Sequence, residues 1–359
     1  MAGSPYASSL GRLKADGISF LTKESFAPFL SATSVDEIAK QLALTPYAFE
    51  LDQARAAYSG LPLIEAAVNR TLVRRNRHAF DATPFAGRLV IAAYLKRWDI
   101  ENIGAILASK AQSRPLTLSD TELVSSRDIP AGLIAGTLSL DDLRNLVGQP
   151  TIDAVITDLV RFGYGGPLLP LLEEFRRTRD IFPFLHALRV QYYAGLLEAA
   201  RFFQGDEWIV RQLVRSEIDV GNVLVLLKGK DSDLPLEDVQ GRWIEGGSIP
   251  AHEATDLYTA RSVPELVDRL SPHYPTLSEG NAAYSEAQSL AHYDVHLQRE
   301  RAAAELRRLS SYPMSLGGIF AYLLIAELER SDLRRVTYGV LYGIPSERLG
   351  RMLTNPRFA

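Results

Sequence analysis

The chain has 359 residues, 47% of them hydrophobic, with no cysteine and a net charge of −4 from 39 basic and 43 acidic side chains. Without cysteine there are no disulfides and no thiolate chemistry, and the slight acidity gives no electrostatic footprint for nucleic acid. The length suffices to bury a large core and allows two or three domains.

In chain order, the first signal is Ser34 with Glu37 three residues later, a capping box that opens a helix. Next comes WDIENIGAILASK at 98–110. At about 100° per residue, Asp99, Asn102, Ile103, Ile106, Leu107 and Lys110 fall within one arc of about 140°. The polar groups therefore lie in the apolar stripe. A buried carboxylate there needs a hydrogen-bonding or cationic partner. Lys110 cannot serve Asp99, because eleven residues of helix separate them by about 16 Å. The partner is expected from another helix or a neighbouring unit.

A break rich in Pro, Gly and Ser follows at 111–120, then a second capping box, Ser139 with Asp142. RFGYGGPLLP at 161–170 reads as a loop, and FLHALRVQYYAGLLEAARFF at 184–203 as a helix. At 218–230, IDVGNVLVLLKGK repeats the earlier motif: Asp219, Asn222, Leu227 and Lys230 lie 120 residues beyond Asp99, Asn102, Leu107 and Lys110. Ile249-Pro250 echoes Ile129-Pro130, each thirty residues after its aspartate, within a second break at 229–250. A third box, Ser262 with Glu265, carries Pro264 in the first turn, where a missing N–H is harmless. Helical spacing resumes at 286–309. ERSDLRRV at 329–336 is a degenerate third copy in which Glu329 and Asp332 replace the acid and the amide and no lysine follows.

The recurrence predicts three units, 1–119, 120–238 and 239–359, in an all-α chain with no convincing run of alternating strands. The bland reading of the repeated motif, that it pins helix packing, outweighs a catalytic one, since a catalytic site is rarely needed three times. No cofactor, metal or small-molecule substrate is indicated. Phosphate-loop, dinucleotide and Gly-x-Ser-x-Gly signatures are missing. His292 and His296 have ligand spacing, but Tyr293 stands where a zinc protease carries Glu. The arginine clusters 74/75/77, 176/177/179 and 299/301/307/308 read as solvated helix faces, with an acidic partner or anionic headgroups as the alternative. The apolar stretch from Pro313 to Ala326 is too short to span a bilayer, which takes about 20 residues, and the N-terminus shows no secretory signal.

Side by side, the repeats resemble the C subunit of the A-type (V/A-type) ATP synthase, related to the d subunit of the V-type ATPase. The resemblance rests on Tyr58-Ser59-Gly60, Leu63-Ile64-Glu65, Asn69-Arg70, Lys96-Arg97-Trp98-Asp99 and Asn102. It continues with Glu217-Ile218-Asp219 and Asn222, then Met314-Ser315-Leu316-Gly317, Tyr322, Glu327, Glu329 and Leu333-Arg334. Two positions depart from the family pattern: Asp332 where Asn is usual, and Ala326 where Lys is frequent. The resemblance implies three similar helical domains around a pseudo-threefold axis, forming a hollow funnel. It implies a non-catalytic rotor adaptor on the cytoplasmic side of the membrane, holding the D and F subunits of the central stalk at its mouth and resting on the proteolipid ring at its base. Two other readings remain: a free α-helical scaffold that binds soluble partners, and an all-α enzyme centred on the Asp99 or Asp219 region.

Overall fold

The computed structural model describes residues 5–15, 19–114, 116–119, 123–126, 129–130, 135–201 and 205–358. Helices dominate. In chain order they are α1 (Pro5–Ala15), α2 (Lys23–Leu30), α3 (Val35–Leu42), α4 (Ala48–Ala54), α5 (Gly60–Ala82), α6 (Phe85–Ala111), α7 (Leu140–Gly148), α8 (Ile152–Leu159) and α9 (Leu172–Thr178). The second half holds α10 (Phe182–Arg201), α11 (Glu207–Asp231), α12 (Leu236–Gln240), α13 (Ala251–Tyr258), α14 (Val263–Arg269), α15 (Asn281–Ala287), α16 (Ala291–Ser310), α17 (Leu316–Leu341) and α18 (Ser346–Arg351).

Local chemistry sets the ends of these helices. Ser34, Ser139 and Ser262 each accept the backbone N–H of the residue three positions on, opening α3, α7 and α14. Only Ser139 with Asp142 closes the full box, since Glu37 and Glu265 take the N–H one residue earlier, from Thr33 and Arg261. Pro84 pushes Thr83 into extended backbone, which stops α5 and lets α6 start immediately afterwards. Gln288, with φ 49°, breaks the predicted 286–309 helix, so α16 begins at Ala291.

Six long helices form three hairpins, α5–α6, α10–α11 and α16–α17. They pack in a closed cycle: α5 on α6, α6 on α10, α10 on α11, α11 on α16, α16 on α17, and α17 back on α5. The N-terminal halves of α6, α11 and α17 share one core with residues such as Tyr94, Trp98, Leu213, Val214, Phe320 and Leu323. Their C-terminal halves part company. Ile103, Ile106 and Leu107 of α6 enter a second core with α7, α8 and Phe184 of α10, while Val223, Leu226 and Leu227 of α11 enter a third with α13, α14 and Tyr293. The C-terminal half of α17 packs on α3, on α5 and on residues from α2 and the tail, where Phe26 stacks on Phe358 at 4.0 Å. The second and third cores straddle the sequence positions 119/120 and 238/239, because each long helix is completed by the segment that follows it.

One small feature departs from pure helix. Thr117–Ser119 (β1), Leu123–Ser126 (β2) and Ile129–Pro130 (β3) form an antiparallel ribbon with Thr117 opposite Ser125 and Ser126 opposite Ile129. Strands of two to four residues leave no alternating run to detect, which is why 111–120 reads as a loop in the sequence. Among the described residues, no helix is long and apolar enough to cross a membrane.

Candidate functional site

The repeated acids occupy equivalent places on α6, α11 and α17, and each is fastened to a loop rather than to a cation on its own helix. Asp99 accepts the backbone N–H groups of Thr137 at 2.9 Å and Leu138 at 3.0 Å, the Thr137 hydroxyl at 2.6 Å and the Tyr164 hydroxyl at 2.9 Å. Tyr164 comes from the 161–170 loop, where Gly163, at φ 83°, makes the turn that presents it. Burial and the neighbouring Asp99 charge both raise the Tyr164 pKa, so its hydroxyl stays a donor. Asp219 accepts the N–H groups of Ser248 at 2.7 Å and Ile249 at 3.3 Å. Glu329 accepts the Leu21 N–H at 2.7 Å, the Tyr47 hydroxyl at 2.7 Å and the Arg75 guanidinium at 2.8 Å.

These bonds run around the chain in one direction. Divided into the thirds read from sequence, the first acid takes its donors from the second third, the second from the last, and the last from the first. The other motif residues are placed similarly. Asn222 both donates to the Ile244 carbonyl at 2.8 Å and accepts its N–H at 3.0 Å. Asn102 is fully buried in the same stripe. Lys110 donates to the Val147 carbonyl at 2.7 Å, and Lys230 sits 4.2 Å above the Tyr258 ring. Asp332 accepts from Thr354 N–H at 2.9 Å, Asn355 N–H at 2.8 Å and Arg335 at 2.7 Å. A carboxylate suits that position because every partner is a donor, whereas Asn222 must also give a proton to a carbonyl.

A second constellation was not anticipated from the sequence. Arg97, Glu217 and Glu327 each stand two residues before the acid of their copy, and they meet where α6, α11 and α17 converge. Arg97 reaches Glu217 at 2.7 Å and Glu327 at 2.9 Å, and its guanidinium lies 3.8 Å from the centre of the Tyr94 ring. Tyr94 donates to Glu327 at 3.0 Å, Arg97 donates to the Tyr192 hydroxyl at 3.0 Å, and Arg301 approaches Glu217 at 3.4 Å. Burial alone would lower the Arg97 pKa, but Glu217 and Glu327 outweigh it and hold it well above the ordinary arginine value. Burial also raises the Glu327 pKa above its ordinary range, with Arg97 pulling the other way. The signal was available in the register, since one Arg and two Glu at the same offset from a threefold motif is an ionic complement.

The arginine clusters require a correction. Arg75 is not on a solvated face: it is 1% exposed and paired with Glu329. Arg301 pairs with Glu217, Arg308 with the buried Glu305 at 2.8 Å, and Arg299 donates to the Leu353 and Arg351 carbonyls. Arg176 remains exposed, with Asp153. No group of three or more metal-ligating side chains occurs among the described residues.

Two tests of the acid-to-loop contacts follow directly. Asp99→Ala is expected to cost more stability than Asp219→Ala, because it strands more buried donors at about 1–3 kcal/mol each, and the order of thermal midpoints checks this. Gly247 lies so close that an added Cβ would fall 2.2 Å from Asp219 Oδ1. Gly247→Ala is therefore expected to destabilise by about 1–3 kcal/mol. Gly195→Ala, on an exposed part of α10 with nothing within 4 Å, is expected to stabilise by about 0.5–1 kcal/mol, both read from denaturant midpoints.

A closed cycle of helical hairpins, with its repeated acids engaged by its own loops, defines an internally repeated all-α packing protein. The profile of the ATP synthase (C/AC39) subunit family matches residues 10–352, and the chain belongs to that family. It is 35% identical to the C subunit of the A-type ATP synthase of Thermoplasma acidophilum, over 96% of each chain. It is also 34% identical to that of Thermoplasma volcanium over 98% of each, and 24% identical to that of Archaeoglobus fulgidus over 97% of this chain and 96% of the relative. Membership makes it a non-catalytic subunit of the rotary ATP synthase.

Proposed function

We propose that the chain is a rotor adaptor: it links the central stalk, with its D and F subunits, to the membrane proteolipid ring and transmits torque between them. On this reading it is a peripheral protein at the cytoplasmic side, its three units are similar helical domains around a pseudo-threefold axis, and together they form a funnel. The observation that carries the reading is the cyclic hand-off of the acids, the last third fastened to the first through Glu329. A chain that closes on itself twists as one body, whereas an open array of repeats bends between neighbours.

The ends of the cycle support an assignment of faces. The starts of α6 and α11 meet the α16–α17 turn: Leu316 N–H donates to Asp206 at 2.8 Å, Gly87 lies against Leu316, and Trp208 packs edge-on to Tyr312 at 4.9 Å. This end exposes Phe85 at 90%, Leu89 at 59% and Met314 at 57%, an apolar rim of the kind that marks an interaction surface, and the reading assigns it to the membrane ring. The far ends of α6, α11 and α17 diverge into separate cores and form the mouth for the stalk. The repeated motif residues Asp99, Asn102, Lys110, Asp219, Asn222, Lys230, Glu329 and Asp332 act as the rivets of the body.

A tagged pull-down from mildly solubilised membranes tests the reading. Recovery of a proteolipid and stalk subunits together with ATPase activity is expected. Recovery of soluble partners alone would overturn it in favour of a free helical scaffold.

A further inference from the structure

The three acid sites are not equally complete. Glu329 receives donors on both oxygens and is 0% exposed, and Asp99 likewise receives donors on both. At Asp219 both hydrogen bonds fall on Oδ1, and the residue lines a neighbouring pocket of about 340 Å³ with Ser248, Tyr274, Arg301, Glu305 and Arg308. Tyr274 is placed in the chain as Tyr47 is, a dozen or so residues after the capping serine, yet it stands in the field of Asp219 without a hydrogen bond to it.

The missing element can be read from the third copy. There the acid is neutralised by Arg75 on the adjacent outer helix, α5. Beside Asp219 the outer helix is α16, and the residue there is Glu305: Arg75 and Glu305 each stand 24 residues before the acid of the following helix, Asp99 and Glu329. The charge is therefore reversed at that place. Glu305 is 1% exposed, and its Oε2 has no hydrogen-bond partner, while Oε1 is held by Arg308 at 2.8 Å. The nearby Ser216 hydroxyl donates to the Leu213 carbonyl at 3.0 Å and also lies close enough to Glu305 to favour its charged form, so it is shared between the two. The other arginine of the pocket, Arg301, leans on Glu217 at 3.4 Å. Glu300 adds a third carboxylate to the wall. Glu305 is matched by Arg308 on one oxygen only, and among the described residues no cation pairs with Asp219, so the site still lacks a cation that bridges the two carboxylates.

We infer that this pocket is a binding site for a guanidinium group, which enters between Asp219 and Glu305 as Arg75 does at Glu329. A planar cation with five donors satisfies two carboxylates and the Tyr274 oxygen at once, which a compact ammonium does with less geometric fit. The group arrives either as an arginine side chain of a neighbouring subunit or as a free guanidinium compound.

The test begins with the isolated full chain titrated with agmatine by calorimetry, with N-methylurea as the neutral planar control. Agmatine is expected to bind and the urea not to. Asp219→Asn, which can still accept the Ser248 and Ile249 N–H groups, and Glu305→Gln, which removes a buried charge without changing shape, are each expected to weaken binding at least about tenfold, 1.4 kcal/mol. No binding, or binding unchanged in both variants, would overturn the site and leave a water-filled notch. A photo-crosslinker at Gln212 in the assembled complex then separates the sources. An agmatine-sensitive crosslink to another chain assigns a partner's arginine, and none assigns a free compound.

Discussion

Glu329→Ala is expected to be the most damaging single substitution, lowering stability by about 3–5 kcal/mol, because it leaves a guanidinium buried without a counter-charge. Arg75 is 1% exposed and has no route to water without unpacking α5 from α17. The Tyr47 hydroxyl and the Leu21 N–H lose their acceptor at the same time. Since Leu21, Tyr47 and Arg75 are points by which the N-terminal third meets α17, the loss also opens the cycle at the seam that no peptide link crosses. Thermal and urea midpoints of the purified chain measure it, with Glu329→Gln retaining part of the stability through its carbonyl oxygen. A fall below about 1 kcal/mol for the alanine variant would refute the assignment.

Arg97→Ala comes next and carries a pH signature. Removing the guanidinium leaves Glu217 and Glu327 facing each other at the junction of three helices, at a cost of about 3–5 kcal/mol near neutral pH. Burial already raises the Glu327 pKa above 4.5 in the folded chain, against the pull of Arg97. A carboxyl raised on folding holds its proton longer when folded than when unfolded, so its contribution to stability is lost as pH rises through the interval between the two pKa values. Without Arg97 that interval extends further upward. The penalty of Arg97→Ala is therefore expected to be smaller at about pH 5 than at about pH 7.5, measured by urea unfolding at both. A penalty that grew on acidification would contradict the arrangement.

Much of the architecture was legible because the helical period and the caps are local signals. Ser34, Ser139 and Ser262 sit at helix starts, and Asp99, Asp219 and Glu329 lie inside buried stripes, as the wheel of the motif requires. What the sequence left open was the partner of each acid. Backbone N–H groups have no sequence signature, so Thr137, Ser248 and Leu21 could not be named in advance. Arg75 looked like one member of a surface cluster because neighbouring charges in sequence point to different sides of a helix, and only tertiary contact shows that Arg75 points inward while Arg74 meets Glu50. The Arg97, Glu217 and Glu327 junction was hidden for another reason. Its ionic logic exists only when three helices are brought together, although its residues share one offset from the motif. The short ribbon at 117–130 carried too few residues to show a period.

The chain's lack of cysteine makes the decisive measurement direct, since a single introduced thiol is unique. A benzophenone maleimide is attached in turn to Met314→Cys, at the apolar hairpin rim, and to Tyr342→Cys, 74% exposed at the far end of α17, and irradiated in native membranes. The rotor-adaptor account predicts that the first captures a proteolipid and the second a soluble protein of the stalk. Capture of the stalk from Met314, or of no ATP synthase chain from either site, would contradict it.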